Sequence, residues 1–299
     1  MPLFELAALA ASLCFATGGM LAVAPSRALG AVRFNRVRMA MMAIVLTLIG
    51  GLTGGFLTIR AADWWPLVLS GLIGIYLGDT FLFAGLRRVG PRRNAIMFAL
   101  NAPLAAIFAV WFLDEILPPS VWVGCFLVTG GVMVAIALGR RRSGEDPWDV
   151  VHGSLPLGLG FGFLAAAGQA LGLLLSRPLM EQGVDPIAGS AVRVLVGCLA
   201  LFVTYEIQHF RQSRDHSLWT RQFVLQTFGS SAIGMGIGMT LVMFALSGGE
   251  AGIVATLSSA APVVMLPMIW LTSRRLPAIG AWLGAVLVVL GTFLVLNVD

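Results

Sequence analysis

One stretch of the sequence places a carboxylate, a phenol and a hydroxyl inside an otherwise apolar run. Tyr76, Asp79, Thr80 and Phe83 follow the i, i+3, i+4, i+7 spacing of one helix face. Asp79 is the only acid well inside such a run. A charge in hydrocarbon needs a cavity or a partner, so three roles stay open for Asp79: proton coupling, binding of a substrate ammonium, or an ion pair with Arg38 or a nearby loop arginine. Tyr76 either lines a cavity or hydrogen-bonds within the helix packing.

Other polar side chains also lie in the middle of apolar runs. Asn101 and Gln169 carry amides that must find partners in lipid, so each either links helices or contacts substrate. Hydroxyls are weaker candidates because they can bond back to their own helix. The candidate substrate-binding set is therefore Thr17, Tyr76, Asp79, Thr80, Phe83, Asn101, Gln169, Thr256 and Ser259, with Ser258 as a further weak candidate.

The remaining reactive residue types argue against catalysis. The three His fall in polar breaks, and the three Cys are far apart and lack CxxC spacing. Chemistry in a bilayer needs an acid pair, a Ser/His set or a His-rich metal site. We therefore expect no catalytic residue, no bound metal, no cofactor and no enzymatic activity.

The elements that must position these residues are membrane-spanning helices. Of the 299 residues, 58% are hydrophobic and 11% are charged, and the mean hydropathy is +0.92. Soluble domains carry about 25% charged residues, so this composition excludes a soluble enzyme and a disordered chain. Apolar runs predict ten spans, numbered along the chain: 3–25, 38–59, 64–86, 94–113, 119–139, 154–176, 187–208, 220–246, 250–271 and 277–297. We predict an all-α integral membrane protein.

The arginines predict the orientation in the membrane. All 19 basic residues are Arg, and 16 of them lie in or beside the loops after spans 1, 3, 5, 7 and 9. Basic loops stay cytoplasmic, so we expect a bacterial inner-membrane protein with both termini in the periplasm. The pI near 10.0 then reflects topology. We expect the lipid bilayer and a small molecule as partners, and no nucleic acid.

The two halves of the chain resemble each other. Matched pairs are Gly78 and Gly238, Thr80 and Thr240, Pro103 and Pro262, Gly124 and Gly284, and, at shorter offsets, Ser26 and Ser176, and Arg38 and Arg193. Five spans per half is an odd number, so the second copy must be inverted in the membrane. We predict a five-helix repeat over 1–142, a cytoplasmic linker over 143–153 and a second five-helix repeat over 154–299.

Inverted repeats are typical of alternating-access carriers, whose substrate site lies near the midplane between the repeats. Pro103 and Pro262 each remove a hydrogen bond in the middle of a span. We hypothesise that these two prolines are paired hinges. Arg38 and Arg193 lie near opposite membrane faces, where we expect snorkelling or ion pairing.

With these features the sequence resembles the drug/metabolite transporter superfamily, in its ten-helix EamA-type branch. The resemblance covers nearly the whole chain and rests on the five-plus-five repeat, Pro103 and Pro262, Glu115 just after span 4, and the glycines of spans 5 and 10. It implies a single polypeptide, hence a monomer, with a central cavity for export or exchange of small metabolites, often amino acids. This sequence departs from the family where Arg274-Arg275 replaces the acid usual after span 9. Its arginines also place the termini opposite to the side usual for the family.

We therefore expect a secondary transporter that moves small metabolites, foremost amino acids and among them aromatic ones, by alternating access. The direction is export or bidirectional exchange. Two alternatives stay open: an exporter of multiple drugs or cationic compounds, and a passive metabolite channel.

Overall fold

Every regular element that the structure describes is helical. The structure is a computed structural model, and it describes residues 3–138, 153–209, 220–273 and 278–296. The α-helices are α1 (Leu3–Leu29), α2 (Ala31–Leu52), α3 (Trp64–Ser70), α4 (Gly78–Phe98), α5 (Asn101–Phe112), α6 (Pro119–Leu138), α7 (Leu155–Glu181), α8 (Pro186–His209), α9 (Arg221–Ser230), α10 (Met239–Leu246), α11 (Ala251–Ser258), α12 (Ala261–Ser273) and α13 (Ile279–Leu296). Two π-helical segments, Gly71–Leu77 and Ser231–Gly238, and two 3-10 turns, Gly55–Thr58 and Ala61–Asp63, complete the list.

Ten stretches within the described ranges are long and apolar enough to cross a membrane. They are span 1 (Leu3–Ser26), span 2 (Arg33–Leu52), span 3 (Ala61–Gly90), span 4 (Arg93–Phe112), span 5 (Pro119–Leu138), span 6 (Leu155–Glu181), span 7 (Pro186–Thr204), span 8 (Arg221–Leu246), span 9 (Ala251–Met268) and span 10 (Ile279–Leu296). The prediction of an all-α, ten-span membrane protein is confirmed.

One predicted span ends too late. The second run was expected over 38–59, but the helix ends at Leu52 and residues 55–58 form a 3-10 turn. Gly54 separates the two with a left-handed φ of 72°, a conformation that glycine adopts at no steric cost. The predicted linker falls almost entirely outside the described residues, as do Arg274 and Arg275.

The spans define two faces of the molecule. We call the face where span 1 begins and span 10 ends the terminal face, since an even number of spans returns the chain to its starting side. The opposite face carries the loops after spans 1, 3, 5, 7 and 9, and we call it the arginine face. Spans 3 and 4 meet there at Gly90, whose φ of 79° breaks α4 into two directions.

The two halves share irregular backbone features as well as sequence. The π-helical segments begin at Gly71 in span 3 and at Ser231 in span 8, 160 residues apart. Spans 4 and 9 are each interrupted, between α5 and the helix before it and between α11 and α12. At these interruptions the N–H of Leu100 bonds to the carbonyl of Met97 at 3.2 Å, and the N–H of Ala260 bonds to that of Leu257 at 3.3 Å. Both are i→i−3 bonds, again 160 residues apart, so the duplication extends to the local geometry.

The residue offset between spans 1 and 6 differs from the predicted offset by about one helical turn. Ser230 donates its hydroxyl to the carbonyl of Gly18 at 2.8 Å, and Ser70, its counterpart, donates to the carbonyl of Gly172 at 2.6 Å. Gly18 therefore corresponds to Gly172, an offset of 154, whereas pairing Ser26 with Ser176 implied 150. A slip of four residues preserves the helix face, which is why the sequence pattern alone did not reveal it.

The glycine crossings bring the two repeats into close contact. A Cβ on Gly172 would lie 2.7 Å from Cα of Gly74, and a Cβ on Gly18 would lie 3.0 Å from Cα of Gly234. Span 1 of the first repeat therefore packs on span 8 of the second, and span 6 packs on span 3. Small residues allow this approach in lipid, where close packing replaces the hydrophobic driving force.

Candidate functional site

A cavity of about 380 Å³ lies between the repeats. Its volume is in the range of small-molecule sites. Both repeats contribute to its wall, which is lined by Phe15, Gly18, Gly19, Arg38, Gly74, Ile75, Asp79, Ala95, Phe98, Ala99, Asn101, Val132, Gln169, Leu173, Gly234, Met235, Met239, Ser258, Ser259, Ala261 and Pro262. The wall is mostly apolar, with a few polar groups that can fix the orientation of a ligand.

The cavity extends from near the arginine face to beyond the middle of the membrane. Ala95 lies two residues into span 4, roughly 3 Å from the arginine face, and Arg38 lies five residues into span 2, roughly 8 Å from it. Asp79 lies 11 residues before the end of span 3, and Gln169 is near the midpoint of span 6. At the other end of the cavity, Met239 lies seven residues before the end of span 8, roughly 10 Å from the terminal face. The lining therefore comes closer to the arginine face than to the terminal face.

Asp79 is held by a polar bridge from span 2. The side-chain amide of Asn35 donates to Oδ2 of Asp79 at 2.7 Å, and Nη2 of Arg38 donates to Oδ1 of Asn35 at 3.0 Å. Arg38 and Asp79 also attract each other electrostatically. Asn35 is therefore the link between two opposite charges at the cavity wall, and the two charges neutralise each other in an apolar environment.

Four of the nine predicted substrate-binding residues line the cavity: Asp79, Asn101, Gln169 and Ser259. The predicted hinge Pro262 also lines it. Asn101 is 9% exposed and lies at the start of α5, directly after the interruption of span 4. These residues come from spans 3, 4, 6 and 9, so both repeats supply polar groups.

The other predicted residues are not in the lining. The hydroxyls of Tyr76 and Thr204 hydrogen-bond at 2.7 Å, which joins span 3 to span 7. Thr17, Thr80 and Thr256 donate to carbonyls of their own helices, at 2.8, 2.6 and 2.8 Å.

Phe83 is half-buried on span 3, and Pro103 is buried in α5. Neither residue belongs to the cavity wall.

The π-helical segment explains why only Asp79 of the four residues in the predicted stripe lines the cavity. A π turn bonds residue i to residue i+5, so it inserts one residue into the helical register. The residues of span 3 that line the cavity are Gly74, Ile75 and Asp79, and the first and last of these are five apart. The α-helical spacing that grouped Tyr76 with Asp79 does not hold across Gly71–Leu77.

Two residues of this site were missed by the sequence reasoning or assigned another role. Asn35 lies in a polar stretch at the start of span 2, and nothing in the sequence singled it out. Arg38 was expected to snorkel or to form an ion pair, yet it lines the cavity. Their i, i+3 spacing places both residues on one helix face, and this was the one sequence signal that could have led to them.

The terminal half is closed by close packing of spans 1, 4 and 9. Ala8, Ala11, Ala105, Ala109, Ala251 and Val254 are fully buried or nearly so. A Cβ on Gly252 would lie 2.9 Å from Cα of Ala106, so the start of α11 touches the middle of α5. We call this packing the terminal seal.

Polar contacts extend the terminal seal to the membrane surface. Oε1 of Glu115 accepts from the N–H of Ala251 at 2.9 Å and lies 3.7 Å from Nε of Arg177. Nη1 of Arg177 lies 3.0 Å from a carboxylate oxygen of Glu181. Asp114 adopts a left-handed φ of 53° that turns the chain here, a conformation that Asp tolerates better than most residues. Glu115 belongs to the first repeat, and its partners belong to the second.

Burial changes the acidity of the carboxyls in the terminal seal. Burial raises the pKa of Glu115 above its ordinary value, against the opposing effect of the Ala251 N–H and of Arg177. Burial also raises the pKa of Glu250, and the neighbouring charge of Glu115 raises it further. Both carboxyls therefore hold a proton more tightly here than a solvent-exposed Glu does.

The sequence of the chain matches a known family over almost its full length. The profile of the EamA-like transporter family matches residues 3–137 and again residues 156–297. The chain belongs to the EamA-like transporter family. Like other EamA-like proteins it is thus a multi-pass membrane transporter of small molecules, and the two matches each cover five spans. In the described part of the chain, no group of three or more His, Cys, Asp or Glu side chains is placed to hold a metal ion.

Two individual relatives and one solved structure are similar to this chain. An uncharacterized transporter of Synechocystis sp. is 22% identical over 242 residues, which are 78% of this chain and 71% of that protein. The uncharacterized transporter YyaM of Bacillus subtilis is 25% identical over 164 residues, 55% of this chain and 50% of that protein. A protein crystal structure superimposes with a TM-score of 0.79 at 19% identity, covering 97% of this chain and 95% of that one. That likeness shows that the two chains share one fold over nearly their full lengths.

Proposed function

We propose that this protein is a secondary carrier that exchanges or exports small polar metabolites, foremost amino acids, by alternating access. The observation that carries the proposal is a ligand-sized cavity that comes close to the arginine face, together with a packed seal at the terminal face. The cavity lies toward the arginine face, and both repeats line it. The terminal half is closed by the close approach of Gly252 to Ala106 and by the hydrogen bond from the N–H of Ala251 to Glu115.

The one-sided seal disfavours a passive channel. A channel needs a continuous path through both halves of the membrane, whereas the terminal half is filled by buried alanines and by a close backbone contact. A carrier instead alternates between two states that are each closed on one side. Inverted repeats supply these two states. When the two halves exchange conformations, the cavity changes from facing one side of the membrane to facing the other.

The polar groups of the cavity suit a zwitterionic or polar substrate. Asn101 and Gln169 offer both donors and acceptors at the membrane centre. Asp79 is engaged with Asn35 and Arg38, so in our proposal it serves proton coupling in preference to capturing a free cation. Phe15 and Phe98 supply apolar walls for a side chain.

The orientation follows from the arginines. We propose that the arginine face is cytoplasmic, that the protein lies in the inner membrane of a bacterium and that both termini are periplasmic. The structure then represents the state whose cavity lies on the cytoplasmic side. The domain boundaries proposed from the sequence, 1–142 and 154–299, fit this arrangement, as does function as a monomer.

Counterflow in proteoliposomes tests the proposal. Vesicles loaded with one unlabelled amino acid are diluted into the same labelled compound, over a panel of amino acids and amines. A carrier accumulates label transiently and saturates, whereas a channel gives linear flux without overshoot. The matched variants are Gln169→Leu, in the cavity wall, and Gln222→Leu, exposed at the start of span 8. We expect the first to reduce counterflow about tenfold and the second to leave it unchanged. Linear flux for every compound would overturn the proposal.

A further inference from the structure

Arg193 of span 7 is completely buried without a carboxylate partner among the described residues. Its relative exposure is 0%. Nη1 lies 3.3 Å from Sδ of Met243 and 3.7 Å from Sδ of Met239. Nε and Nη2 have no hydrogen-bond partner in the described part of the chain. Thioether sulfur is a weak acceptor, so a full positive charge and several donors face an environment that does not neutralise them.

The repeat shows what is missing around Arg193. Its counterpart is Arg38, which is linked through Asn35 to Asp79. The residue that corresponds to Asp79, 160 positions later, is Met239. Arg38 of span 2 is linked to Asp79 of span 3, and Arg193 of span 7 contacts Met239 of span 8, which are matching positions of the two repeats. The first repeat has a carboxylate there, and the second has a thioether.

Arg193 also lies directly behind the cavity wall. A Cβ on Gly74 or on Gly172 would lie 3.2 Å from its Nη2, so neither residue places a side chain between the guanidinium and the glycine crossing. Gly74 and Met239 both line the cavity. Arg38, by contrast, is itself part of the lining, together with Gly18 and Gly234.

The two arginines lie on opposite sides of the membrane centre. Arg193 is seven residues into span 7, roughly 10 Å from the terminal face, whereas Arg38 is near the arginine face. Exchange of the two repeat conformations would move Arg193 into the cavity wall and bury Arg38. In that state the first arginine still has its own carboxylate, and Arg193 has none.

We propose that Arg193 binds a carboxylate of the transported substrate when the cavity lies toward the terminal face. This inference rests on the proposed carrier function and names its substrate class: small molecules with a carboxylate, zwitterionic or anionic, and not purely cationic compounds. A guanidinium presents paired N–H donors that match a carboxylate in a bidentate manner. Because Arg38 and Asp79 cancel each other, the uncompensated charge of Arg193 makes the site positive and repels amines.

Matched probes and matched variants test this inference. The probes are L-phenylalanine, 3-phenylpropionate, L-phenylalanine amide and phenethylamine, which share a phenyl ring and differ in their charged groups. Binding to the purified protein is measured by the shift in melting temperature and in competition with counterflow. The variants are Arg193→Gln, which removes the charge, Met239→Asp, which supplies the carboxylate that the second repeat lacks, and Met239→Asn as the uncharged control.

In the wild type we expect the two carboxylate probes to bind and the amide and amine to bind at least about tenfold more weakly. Arg193→Gln and Met239→Asp should each weaken the carboxylate probes about tenfold, because the guanidinium is absent or already paired. Met239→Asn should weaken them much less. Met239→Asp should also raise the melting temperature without ligand, which excludes misfolding as the cause of its lost binding.

Three outcomes would overturn the inference: carboxylate probes that bind no better than their amine analogues, undiminished carboxylate binding in Arg193→Gln, or undiminished carboxylate binding in Met239→Asp. These outcomes are separate from failure of the carrier proposal. A wild type without saturable counterflow for any compound contradicts the carrier. Saturable counterflow that has the same charge preference in the wild type and in Arg193→Gln contradicts this inference alone.

Discussion

The side chain of Glu115 accepts a hydrogen bond from the backbone N–H of Ala251 at 2.9 Å, and this bond joins the first repeat to the second at the terminal face. Ala251 is the first residue of α11, so its N–H has no partner within the helix. A carboxylate at a helix N-terminus is also favoured by the helix dipole. The bond therefore stabilises the state in which the terminal side is closed.

Glu115→Ala should open the terminal seal more often. The variant leaves the Ala251 N–H without its acceptor and removes the negative neighbour of Arg177, at a cost of about 1–3 kcal/mol to the closed state. The measurement is the alkylation rate of a cysteine at the buried position of Ala109, in a background without the native cysteines, by an impermeant reagent added at the terminal face. We expect about tenfold faster labelling.

Glu181→Ala is the matched control, because Glu181 also contacts Arg177 but its side chain is 62% exposed. An exposed ion pair contributes little, so labelling should stay near the unmodified rate. If the Glu115 and Glu181 variants label equally fast, the bond to Ala251 does not hold the seal.

Acid on the terminal face should favour the closed state. Burial raises the pKa of Glu115 and of Glu250, so the closed state takes up protons that an open state releases. By linkage its stability is greatest at low pH and falls as the pH rises from the ordinary Glu pKa through the raised values. The charged groups nearby are Arg177, which opposes this effect, and Glu5 and Glu181, which add to it.

The check is the labelling rate of the same buried cysteine, with the pH varied on the terminal side only and corrected for thiol ionisation. We expect the corrected rate to rise with pH in the wild type and to respond less in the double variant Glu115→Gln/Glu250→Gln. A rate that falls with rising pH contradicts the assignment.

Replacing both Pro103 and Pro262 with Ala should slow transport. Each proline lacks an N–H, and the two lie three and two residues after the irregular turns that interrupt their spans. Alanine restores the missing donor and favours a continuous helix, which resists bending. We expect the maximal counterflow rate to fall several-fold while apparent affinity changes little.

Pro267→Ala is the control, because Pro267 lies within α12 but away from the interruption and is exposed. It should transport at the wild-type rate. Unchanged transport in the double variant would remove the hinge hypothesis.

Asp79→Asn should make transport insensitive to an imposed pH gradient if Asp79 carries the coupled proton. The variant also leaves the charge of Arg38 uncompensated, so thermal stability should drop. Arg38→Gln/Asp79→Asn removes both charges and should recover much of that stability, as expected of a coupled pair. Full retention of the pH response in Asp79→Asn would exclude a proton-coupling role, and additive stability losses would show that the two residues do not interact.

The large-scale architecture could be predicted because it follows from patterns that tertiary contacts barely alter. Apolar runs fix the ten spans, since lipid requires each backbone to satisfy its own hydrogen bonds within a helix. Glycines and prolines at an offset near 160 revealed the repeat because they serve backbone geometry. Pro103 and Pro262 indicated the interruptions for the same reason.

The cavity wall could be predicted only in part. Asp79, Asn101 and Gln169 were identified because a polar group in a span needs a protein or water environment. For Tyr76 the α-helical spacing left two roles open, a cavity wall and a hydrogen bond within the helix packing, and the π segment shifts the register on which that spacing rests. Asn35 became part of the site only through contact with Asp79, 44 residues away, and such pairings do not appear in a local pattern.

The central claim is that the two faces open in alternation, and distances between spin labels on both faces test it most directly. One pair is placed at the exposed positions Ile116 and Gln182 on the terminal face, the other at Arg87 and Gln222 on the arginine face. In proteoliposomes containing a transported compound, we predict two populations for each pair. Raising the pH or adding substrate should lengthen one distance while it shortens the other. A single distance population for each label pair, or distances that lengthen together at both faces, would contradict alternating access.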